Sequence, residues 1–441
     1  MSEFIVAGAG HGGLCAALQL AKGGRRVTVL ERLPEAGLGY DWTDVVDPGA
    51  LERNGFSVLP ESSKVTAYIG TLLGPGKRFP LRPLDTISKE IHVERKEWLA
   101  LMIRDCRAAG VEFRFGTEIL GPAVEGNRVC GLRIGTAGAE ELCPAGMVID
   151  AAGAQSPVRT NLPARLGIPG TLPQDQLFYG WRGFFNRLPG PNPRDFYKQY
   201  LCHQGRKGLS WVIANPDCMD VLVGNMGGPL DEATIADAIA DLRQDNPLLG
   251  EQLLRGGGKQ PAIPVRRPLG LFVAESYAAV GDSACMADPF SGCGMCAAMD
   301  QGKLLAEILM ACGGDYTLPK LWEYQYRTFT RKPPAESGDA SKTTTQRAAT
   351  DVTRCVMMSL RSEEIDLMFA RGLIALQDGL KKPKDALLLL RGLDRPRMLW
   401  QLTKVPILGK KIRAITRRIP KIYDPAAVAE WVKAYEGCKM R

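Results

Sequence analysis

The sequence lacks the segments that membrane-spanning and repetitive proteins require. No uninterrupted apolar run approaches the roughly 20 residues of a spanning helix, so we expect the chain not to cross a bilayer. The first apolar run begins at Phe4 and breaks at Gly8, without a basic leader or a small-residue cleavage site. It therefore predicts a strand and not a signal peptide. Internal repeats and low-complexity tracts are absent as well.

Histidine and paired cysteine motifs are also scarce. The three histidines, His11, His92 and His203, show no triad-like grouping, so the sequence identifies no catalytic acid or base. The 12 cysteines are scattered and lack the dense framework of a small secreted domain, which predicts a reducing cytoplasm as the compartment. Cys293 and Cys296 form a C-x-x-C with no second Cys or His pair at suitable spacing, so we expect no metal site.

What is present is the composition of a soluble globular protein. The chain has 441 residues, of which 45% are hydrophobic and 24% charged, enough for two intertwined domains and an appendage. Its formal charge of +8 is unevenly distributed. Residues 380–441 contain 16 Lys and Arg against 5 Asp and Glu, so the rest of the chain is nearly neutral.

A strand, a glycine-rich turn, a helix and a second strand follow one another at the start. The turn contains Gly8, Gly10, Gly12 and Gly13, and Glu31 ends the second strand. Glycines allow a tight turn and close backbone approach to a pyrophosphate, and the helix N-terminus offers N–H groups to it. An acid at the position of Glu31 can accept hydrogen bonds from ribose hydroxyls. The pattern predicts a dinucleotide-binding unit.

A second glycine-rich turn, 281–294, follows an apolar strand predicted over 272–280. Asp282 comes directly after that strand, and a new helix is predicted to begin at about Gly292–Met295 and to run to Met310. The acid can bind ribityl or ribose hydroxyls, and the helix start can stabilise negative charge on the pyrimidine edge of a reduced flavin. A nucleotide held at both ends must be long, so the two turns together predict FAD.

The chain between the two turns has a different pattern of residues. From Gln176 to Met226, aromatic and polar residues alternate, which favours an antiparallel sheet inserted into the nucleotide-binding fold. We therefore predict an α/β fold: a Rossmann-type FAD-binding domain with an inserted antiparallel β-sheet substrate domain and a C-terminal helical region. The predicted boundaries are 1–175 and 263–330 for the FAD-binding domain, 176–262 for the insert, and 331–441 for the basic helical region.

At these motifs the sequence resembles the geranylgeranyl reductase family and, more distantly, the aromatic-ring hydroxylases, over about residues 1–330. The resemblance implies that the first turn binds the FAD pyrophosphate, that Glu31 binds ribose and that Arg95 reaches the phosphates and the ribityl chain. It implies that the segment from Asp282 to Met295 wraps the ribityl chain and the flavin. The remaining residues that we assign to the cofactor site are Arg32, Ile119, Pro289, Gly292, Cys293 and Gly294.

Two departures separate the chain from its relatives. An Asp-Gly pair common among them is Ala152-Gly153 here, which disfavours an NADPH-driven hydroxylase. In the segment 209–216, only Trp211 and the glycines that follow match the substrate motif of the reductases well. Trp211 is interpreted either as a substrate contact or as core packing.

The loop 40–47 and the C-x-x-C each carry two interpretations. Tyr40 or Asp41 could give a proton to a reduced carbon; alternatively, the aromatics of the loop cover the cofactor and its acids are solvated, which we favour. Cys293 and Cys296 could form a dithiol beside the flavin, but residues three apart on a helix are also simply neighbours, which we favour as well.

The basic C-terminal region contains Ile412, Ile415 and Ile419 at helical spacing among lysines and arginines. This amphipathic pattern is typical either of peripheral docking on an anionic membrane or of a helix packed on the protein body, and we favour the body. Nucleic acid is not expected as a partner, because no recognised reader module accompanies the charge.

The leading functional hypothesis is an FAD-dependent oxidoreductase, cytoplasmic with or without membrane association. It would reduce or oxidise a carbon–carbon bond of a small apolar, isoprenoid or lipid-like substrate, with NAD(P)H or a redox protein as electron donor. The alternatives are a flavin monooxygenase of the aromatic hydroxylase type and a non-catalytic electron-transfer protein.

Overall fold

Two large β-sheets organise the fold. The computed structural model describes residues 2–47, 49–59, 67–68, 70–76, 80–83, 86–87, 91–136, 139–331, 343–378 and 386–438. Within them the strands are β1 (Ser2–Ala7), β2 (Val27–Glu31), β3 (Thr43–Val46), β4 (Ala67–Tyr68), β5 (Gly70–Leu73), β6 (Pro80–Pro83), β7 (Thr86–Ile87), β8 (Ile91–Glu94), β9 (Glu112–Phe115), β10 (Glu118–Glu125), β11 (Arg128–Thr136), β12 (Ala139–Asp150), β13 (Leu177–Arg187), β14 (Tyr197–Leu201), β15 (Leu209–Ala214), β16 (Cys218–Met226), β17 (Leu249–Gly256), β18 (Ala262–Pro264), β19 (Val273–Ala274) and β20 (Tyr277–Ala279).

The helices in the described residues flank these sheets and form the C-terminal region. They are α1 (His11–Lys22), α2 (Ala50–Arg53), α3 (Arg95–Ala108), α4 (Pro157–Thr160), α5 (Glu232–Asp245), α6 (Met295–Ala311), α7 (Leu318–Thr330), α8 (Thr344–Ser359), α9 (Ser362–Ala370), α10 (Ala386–Leu390), α11 (Pro396–Thr416) and α12 (Pro425–Glu436).

The first sheet has a Rossmann-type parallel core in the order β9-β2-β1-β12-β20. Phe4, Ile5, Val6 and Ala7 of β1 are all fully buried, as expected for a parallel strand that is covered on both faces. The first half of β12 leaves this core and pairs antiparallel with β11, which in turn pairs with β10. The predicted Rossmann-type fold is thus confirmed.

One predicted strand is wrong. The apolar run 272–280 is not a single strand but a short hairpin, in which β19 and β20 pair antiparallel. The chain reverses at Ser276, whose φ of +57° lies in the left-handed region. Hydrophobicity alone could not distinguish one buried strand from two that fold back on each other.

The second sheet has the order β17-β13-β16-β15-β14-β5-β6, with β18 also paired to β13. Its pairs are antiparallel except β14 with β5, so the predicted antiparallel sheet is confirmed. β5 and β6 come from residues 70–83, upstream of the predicted insert, and extend the sheet beyond it. The domain boundaries themselves stay a prediction.

Close contact between α1 and α6 brings the two glycine-rich turns onto one side of the first sheet. A Cβ atom on Gly302 of α6 would lie 2.1 Å from the backbone oxygen of Gly12 in α1. Glycine at position 302 therefore allows the helices to touch through their backbones.

The C-terminal region is helical, as predicted, and two of the three isoleucines of its amphipathic pattern lie in the core. Ile412 and Ile419 are buried and Ile415 is half-buried, because α11 packs against α8 and the segment 373–378. The packed alternative is confirmed for Ile412 and Ile419, and contact of this region with a membrane stays a prediction. No helix among the described residues is long and apolar enough to span a bilayer.

Candidate cofactor and substrate site

The first turn has the geometry of a phosphate cradle. Gly8 has a φ of +93°, and a Cβ at this position would lie 2.7 Å from the Ala151 oxygen, so a side chain would collide with backbone. Gly10 is the N-cap of α1 and provides no side-chain cap, so the first amides of α1 are left for a ligand. A bound phosphate would satisfy them.

Glu31 joins this turn to the end of β2. Its carboxylate accepts hydrogen bonds from the backbone N–H groups of Ala9 and Leu33, each at 2.9 Å. These bonds fix the acid beside the cradle, where ribose hydroxyls can reach it. Arg32, the next residue, is exposed and lines a cavity of about 810 Å³ together with Leu33, Tyr40 and other residues. Ile119, in β10, is buried.

The second turn lies against the first. Gly281 has a φ of +64°, and its N–H donates to the Gln301 side-chain oxygen at 2.7 Å. A Cβ on Gly12 would lie 2.8 Å from a methyl carbon of Val280, the residue immediately before this turn. Two segments that are 268 residues apart in sequence therefore meet, as a single bridging nucleotide requires.

The Asp282 carboxylate has no hydrogen-bond partner among the described residues. Burial raises its pKa from 3.8 to about 6, and the positive charge of Arg95 acts in the opposite direction. A desolvated carboxylate of this kind is unfavourable until hydroxyl donors reach it. Ribityl hydroxyls would be such donors.

Arg95 is held between the two turns by Asp44. Its Nε and Nη2 donate to the Asp44 carboxylate at 2.6 and 2.5 Å, and its guanidinium lies 5.0 Å from the ring centre of Trp42. Burial favours the neutral form of Asp44, but the charge and hydrogen bonds of Arg95 outweigh it, and the pKa of Asp44 is lowered. The guanidinium is therefore fixed in place and charged.

His11 completes this cluster at the start of α1. Burial and then the nearby charge of Arg95 lower its pKa to about 4, so the imidazole is neutral at pH 7. Its Nε2 atom is buried and has no hydrogen-bond partner among the described residues. Together, the uncapped helix, this orphaned nitrogen and the unpartnered Asp282 fit a polar, anionic cofactor.

The remainder of the second turn ends at an uncapped helix start. Gly292 has a φ of +72°, Pro289 is buried and Cys293 is exposed. Gly294 is the N-cap of α6 without a side-chain cap, and Met295 is the first helical residue. The first amides of α6 are therefore not capped by a side chain.

The C-x-x-C does not have the properties of a reactive dithiol. Burial raises the pKa of the Cys296 thiol to about 12, so it stays protonated at neutral pH. A thiol exchanges as its thiolate, and Cys296 would supply almost none. The interpretation as helix neighbours is not confirmed either, because Cys293 precedes the N-cap Gly294 and only Cys296 lies in α6.

The loop 40–47 differs from the solvated loop that we favoured. Asp47 is buried and Asp44 is mostly buried, in ion pairs with Arg53 and Arg95, and only Asp41 lies in an exposed pair, with Lys96 at 2.7 Å. The favoured interpretation was therefore wrong for two of the three acids. None of them is free to act as a proton donor.

A buried ion pair links this loop to the second sheet. Arg182 of β13 donates through Nε to Asp220 of β16 at 2.8 Å, and through Nη1 to the backbone oxygen of Thr43 at 2.5 Å. Both charged side chains are almost fully buried. The guanidinium also lies 5.6 Å from the ring of Trp42 and 5.2 Å from that of Trp211.

Trp211 faces this cluster. Its Nε1 atom is buried without a hydrogen-bond partner among the described residues, and the Tyr197 ring meets it edge-on at 6.4 Å. Burial raises the pKa of Tyr197 to about 12, so the phenol keeps its proton. The surface is aromatic and adjoins the loop that carries Trp42, which is consistent with a wall for an apolar ligand. Tyr40, by contrast, lies on the Arg32 side of the site.

Ala152, the departure from the family pattern, lies beside a buried network centred on Asp150. The Asp150 carboxylate accepts from the hydroxyls of Ser156, Tyr277 and Ser283 at 2.7 to 3.0 Å. The Ser283 contact ties the segment 150–156 to the second turn. Asp150 therefore has a structural task, which its position at the end of a strand did not reveal.

Comparison with known proteins agrees with this geometry. A model of the NAD(P)-binding Rossmann-like domain matches residues 6–71. A digeranylgeranylglycerophospholipid reductase of Sulfolobus acidocaldarius is 21% identical, over 97% of this chain and 95% of its own. A geranylgeranyl bacteriochlorophyll reductase-like protein of Thermoplasma acidophilum has a TM-score of 0.69 at 18% identity, over 92% of this chain and 99% of its own.

A more distant neighbour carries the same fold. The aklavinone-11 hydroxylase, solved in a ternary complex with FAD and aklavinone, has a TM-score of 0.51 at 21% identity, over 86% of this chain and 69% of its own.

The fold and the paired turns define a flavin-dependent oxidoreductase. Within that class, the chain is similar to the geranylgeranyl reductases, and the resemblance drawn from its motifs is confirmed.

The charged pairs that organise the site were not predicted from the sequence. Arg182 and Asp220 each stand inside an otherwise apolar strand, and that was the available signal, because a charge on a buried strand requires a partner. Nothing in the sequence indicated which partner, since the paired residues are 38 positions apart.

Proposed function

We propose that the protein is a cytoplasmic enzyme that binds FAD across both turns and reduces or oxidises a carbon–carbon bond in an apolar, isoprenoid or lipid-like substrate. NAD(P)H or a redox protein supplies or accepts the electrons. The roles of the turn glycines, Glu31, Arg32, Arg95, Ile119 and the segment from Asp282 to Met295 in binding FAD are part of this proposal, as are the substrate contacts of Tyr40 and Trp211.

The supporting observation is the meeting of the two turns around Arg95. A nucleotide that ended at the pyrophosphate would leave Asp282 and the start of α6 without a ligand, whereas FAD extends to both. The name of the full-length relative, a reductase of a digeranylgeranyl lipid, supports an isoprenoid substrate.

The side chains of this chain would mainly position the cofactor and the substrate, and would not themselves take part in the reaction. FAD, when bound, supplies hydride chemistry to one carbon of the double bond. Glu31 and Asp282 would hold hydroxyls, and Arg95 would offset phosphate charge from its fixed place on Asp44. The aromatic surface around Trp211 would exclude water from the reacting bond. Because Asp41, Asp44 and Asp47 are held in ion pairs, water is the proposed source of the proton that the other carbon would receive.

Anaerobic stopped-flow spectroscopy tests this proposal. The FAD-loaded protein is first reduced, and the recovery of flavin absorbance on mixing with polyprenyl lipids is then followed. We expect reoxidation with formation of the saturated product. Absence of reoxidation by the lipids under anaerobic conditions, with reoxidation only after dioxygen is admitted, would contradict the proposal. Substrate-stimulated oxygen uptake in a parallel aerobic assay would favour a monooxygenase instead.

A pair of tryptophan variants tests the substrate surface. Trp211→Leu should slow reoxidation by the lipid without altering reduction of the flavin. Trp181→Leu is the matched control, because Trp181 is buried in the same sheet but packs with Phe185 and α5 in the second core. Equal effects from both variants would indicate general damage to the sheet and not a ligand contact.

A further inference from the structure

The C-terminal helices expose apolar side chains that the protein body does not cover. On α11, Trp400 and Ile407 have 60% and 66% of their surface exposed. They are seven residues apart, so they lie on one side of the helix, two turns from each other. The opposite side carries the buried residues Met398, Leu402, Val405, Gly409, Ile412 and Thr416. Packing of α11 is therefore complete without Trp400 and Ile407.

More apolar surface lies immediately before this helix. Leu387 and Leu390 of α10, and Leu393 in the turn that follows, are each about 60% exposed. Single exposed apolar residues are common on proteins, but five within 21 residues are unusual for a surface that meets only water. We call Leu387, Leu390, Leu393, Trp400 and Ile407 the apolar face.

Positive charge surrounds the apolar face. Residues 386–422 contain ten Lys and Arg and a single acid, Asp394. Asp394 is already paired with Arg371 at 2.5 Å. The Lys404 ammonium lies 3.1 Å from the ring centre of Trp400, and Lys410 and Lys411 are exposed one turn beyond Ile407. An interfacial tryptophan with apolar neighbours and a rim of cations is the combination that binds anionic lipid headgroups.

We propose that the apolar face docks the protein on an anionic lipid bilayer, with Trp400 and Ile407 inserted at the headgroup level. The sequence pointed to a different surface, formed by Ile412, Ile415 and Ile419. Ile412 and Ile419 are buried in the core and are not available for docking. A bilayer is preferred over a protein partner because residues 386–422 carry ten cations and one acid, Asp394, which is already paired with Arg371.

Docking through the apolar face would bring the cofactor site close to a lipid substrate in the bilayer. This part of the inference rests on the proposed function. α11 packs along α8. Arg347 of α8 is buried and lies within electrostatic reach of Asp288 and Cys293 in the second turn. The helices α11 and α8 thus lie between the apolar face and the second turn, where a lipid substrate would have to arrive.

Vesicle co-sedimentation tests the proposal with the full chain. The probes are vesicles of phosphatidylcholine mixed with phosphatidylglycerol, and vesicles of pure phosphatidylcholine. The variants are Trp400→Ser combined with Ile407→Ser, and Lys410→Glu combined with Lys411→Glu. Leu142→Ser is the matched control, because Leu142 is 57% exposed but lies on β12, outside the basic region.

We expect the wild-type protein and the Leu142 variant to sediment with the anionic vesicles and not with the neutral ones. Each double variant should lose at least about tenfold in partition coefficient, from lost apolar burial in one case and lost electrostatic attraction in the other. Added salt should weaken wild-type binding.

Several outcomes overturn the inference. These are no binding to either vesicle, equal binding to both, undiminished binding by the Trp400 and Ile407 variant, or a wild-type dimer that this variant dissociates, which would identify a second copy as the occupant. FAD absorbance and turnover of detergent-dispersed substrate are recorded in parallel. Loss of vesicle binding with both of these intact separates failure of docking from failure of the proposed function.

Discussion

The two ends of the candidate cofactor site are built in different ways. At the nucleotide end, backbone does the positioning: Gly8 adopts a positive φ and α1 begins without a cap. From there toward the flavin end, ion pairs position the side chains: Asp44 fixes Arg95 between the two turns, and Asp220 fixes Arg182 in the second sheet. A backbone cradle needs only a few consecutive residues, whereas an ion pair needs two distant strands to be already in register. The first end is therefore local in the sequence and the second is a product of the whole fold.

The largest effect should come from breaking the ion pair of the second sheet. Asp220→Ala leaves Arg182 charged and buried without its carboxylate, which should lower the free energy of unfolding by about 3–5 kcal/mol. Chemical denaturation measures it. Asp41→Ala is the control, since its pair with Lys96 is exposed and should contribute less than about 1 kcal/mol. Similar losses in both variants would mean that burial does not set the strength of these pairs.

Breaking the backbone contact between α6 and α1, at Gly302 and Gly12, should have the next largest effect on stability. In Gly302→Ala, the new Cβ would meet the Gly12 oxygen at 2.1 Å, so α1 and α6 must separate and stability should fall by about 3 kcal/mol. Thermal and chemical unfolding measure it.

Gly409→Ala provides the matched comparison for that variant. Gly409 is also inside a helix, but a Cβ there would meet only the mobile end of Arg413 at 3.4 Å. Alanine at this position should raise stability by up to about 1 kcal/mol through helix propensity. A loss at both positions would show that helical glycine, and not the contact with Gly12, is the sensitive feature.

Features that are local in the sequence were predicted, and features that depend on distant contacts were not. The glycine turns, the Rossmann-type sheet and the antiparallel sheet were predicted because their signals are periodic or consecutive. The burial of Asp44 and Asp47 was missed, because their partners, Arg95 and Arg53, could not be assigned without the fold. The burial of Ile412 was left open for a similar reason: an amphipathic helix shows that it has an apolar side, but not what that side contacts.

Replacing Asp282 should stabilise the protein without FAD and weaken its binding of FAD. Because burial raises its pKa from 3.8 to about 6, folded apoprotein binds a proton more tightly than the unfolded chain does. The contribution of Asp282 to the free energy of unfolding should therefore fall as the pH rises through this interval, whereas that of His11, whose pKa is lowered to about 4, rises over the same range. Asp282→Asn should remove the first contribution alone, so that the difference in stability between variant and wild-type apoprotein grows with pH and reaches about 2–3 kcal/mol at pH 7, while FAD binding weakens. Unfolding of apoprotein across this range, with FAD titration at pH 7, measures both; a variant that destabilises apoprotein would contradict the desolvated carboxylate.

The smallest effect, and the sharpest probe of the flavin end, is expected from Arg95→Lys. Lysine keeps the charge but cannot make the two parallel bonds to Asp44, so the cation would lose its fixed position and FAD should bind about tenfold more weakly. Fluorescence titration of FAD measures the dissociation constant. Arg107→Lys is the control on the same helix, because Arg107 makes a similar forked pair with Glu35 on the exposed side of α3. If the two variants bound FAD equally well, charge alone would suffice at position 95 and the clamp by Asp44 would have no part in holding the cofactor.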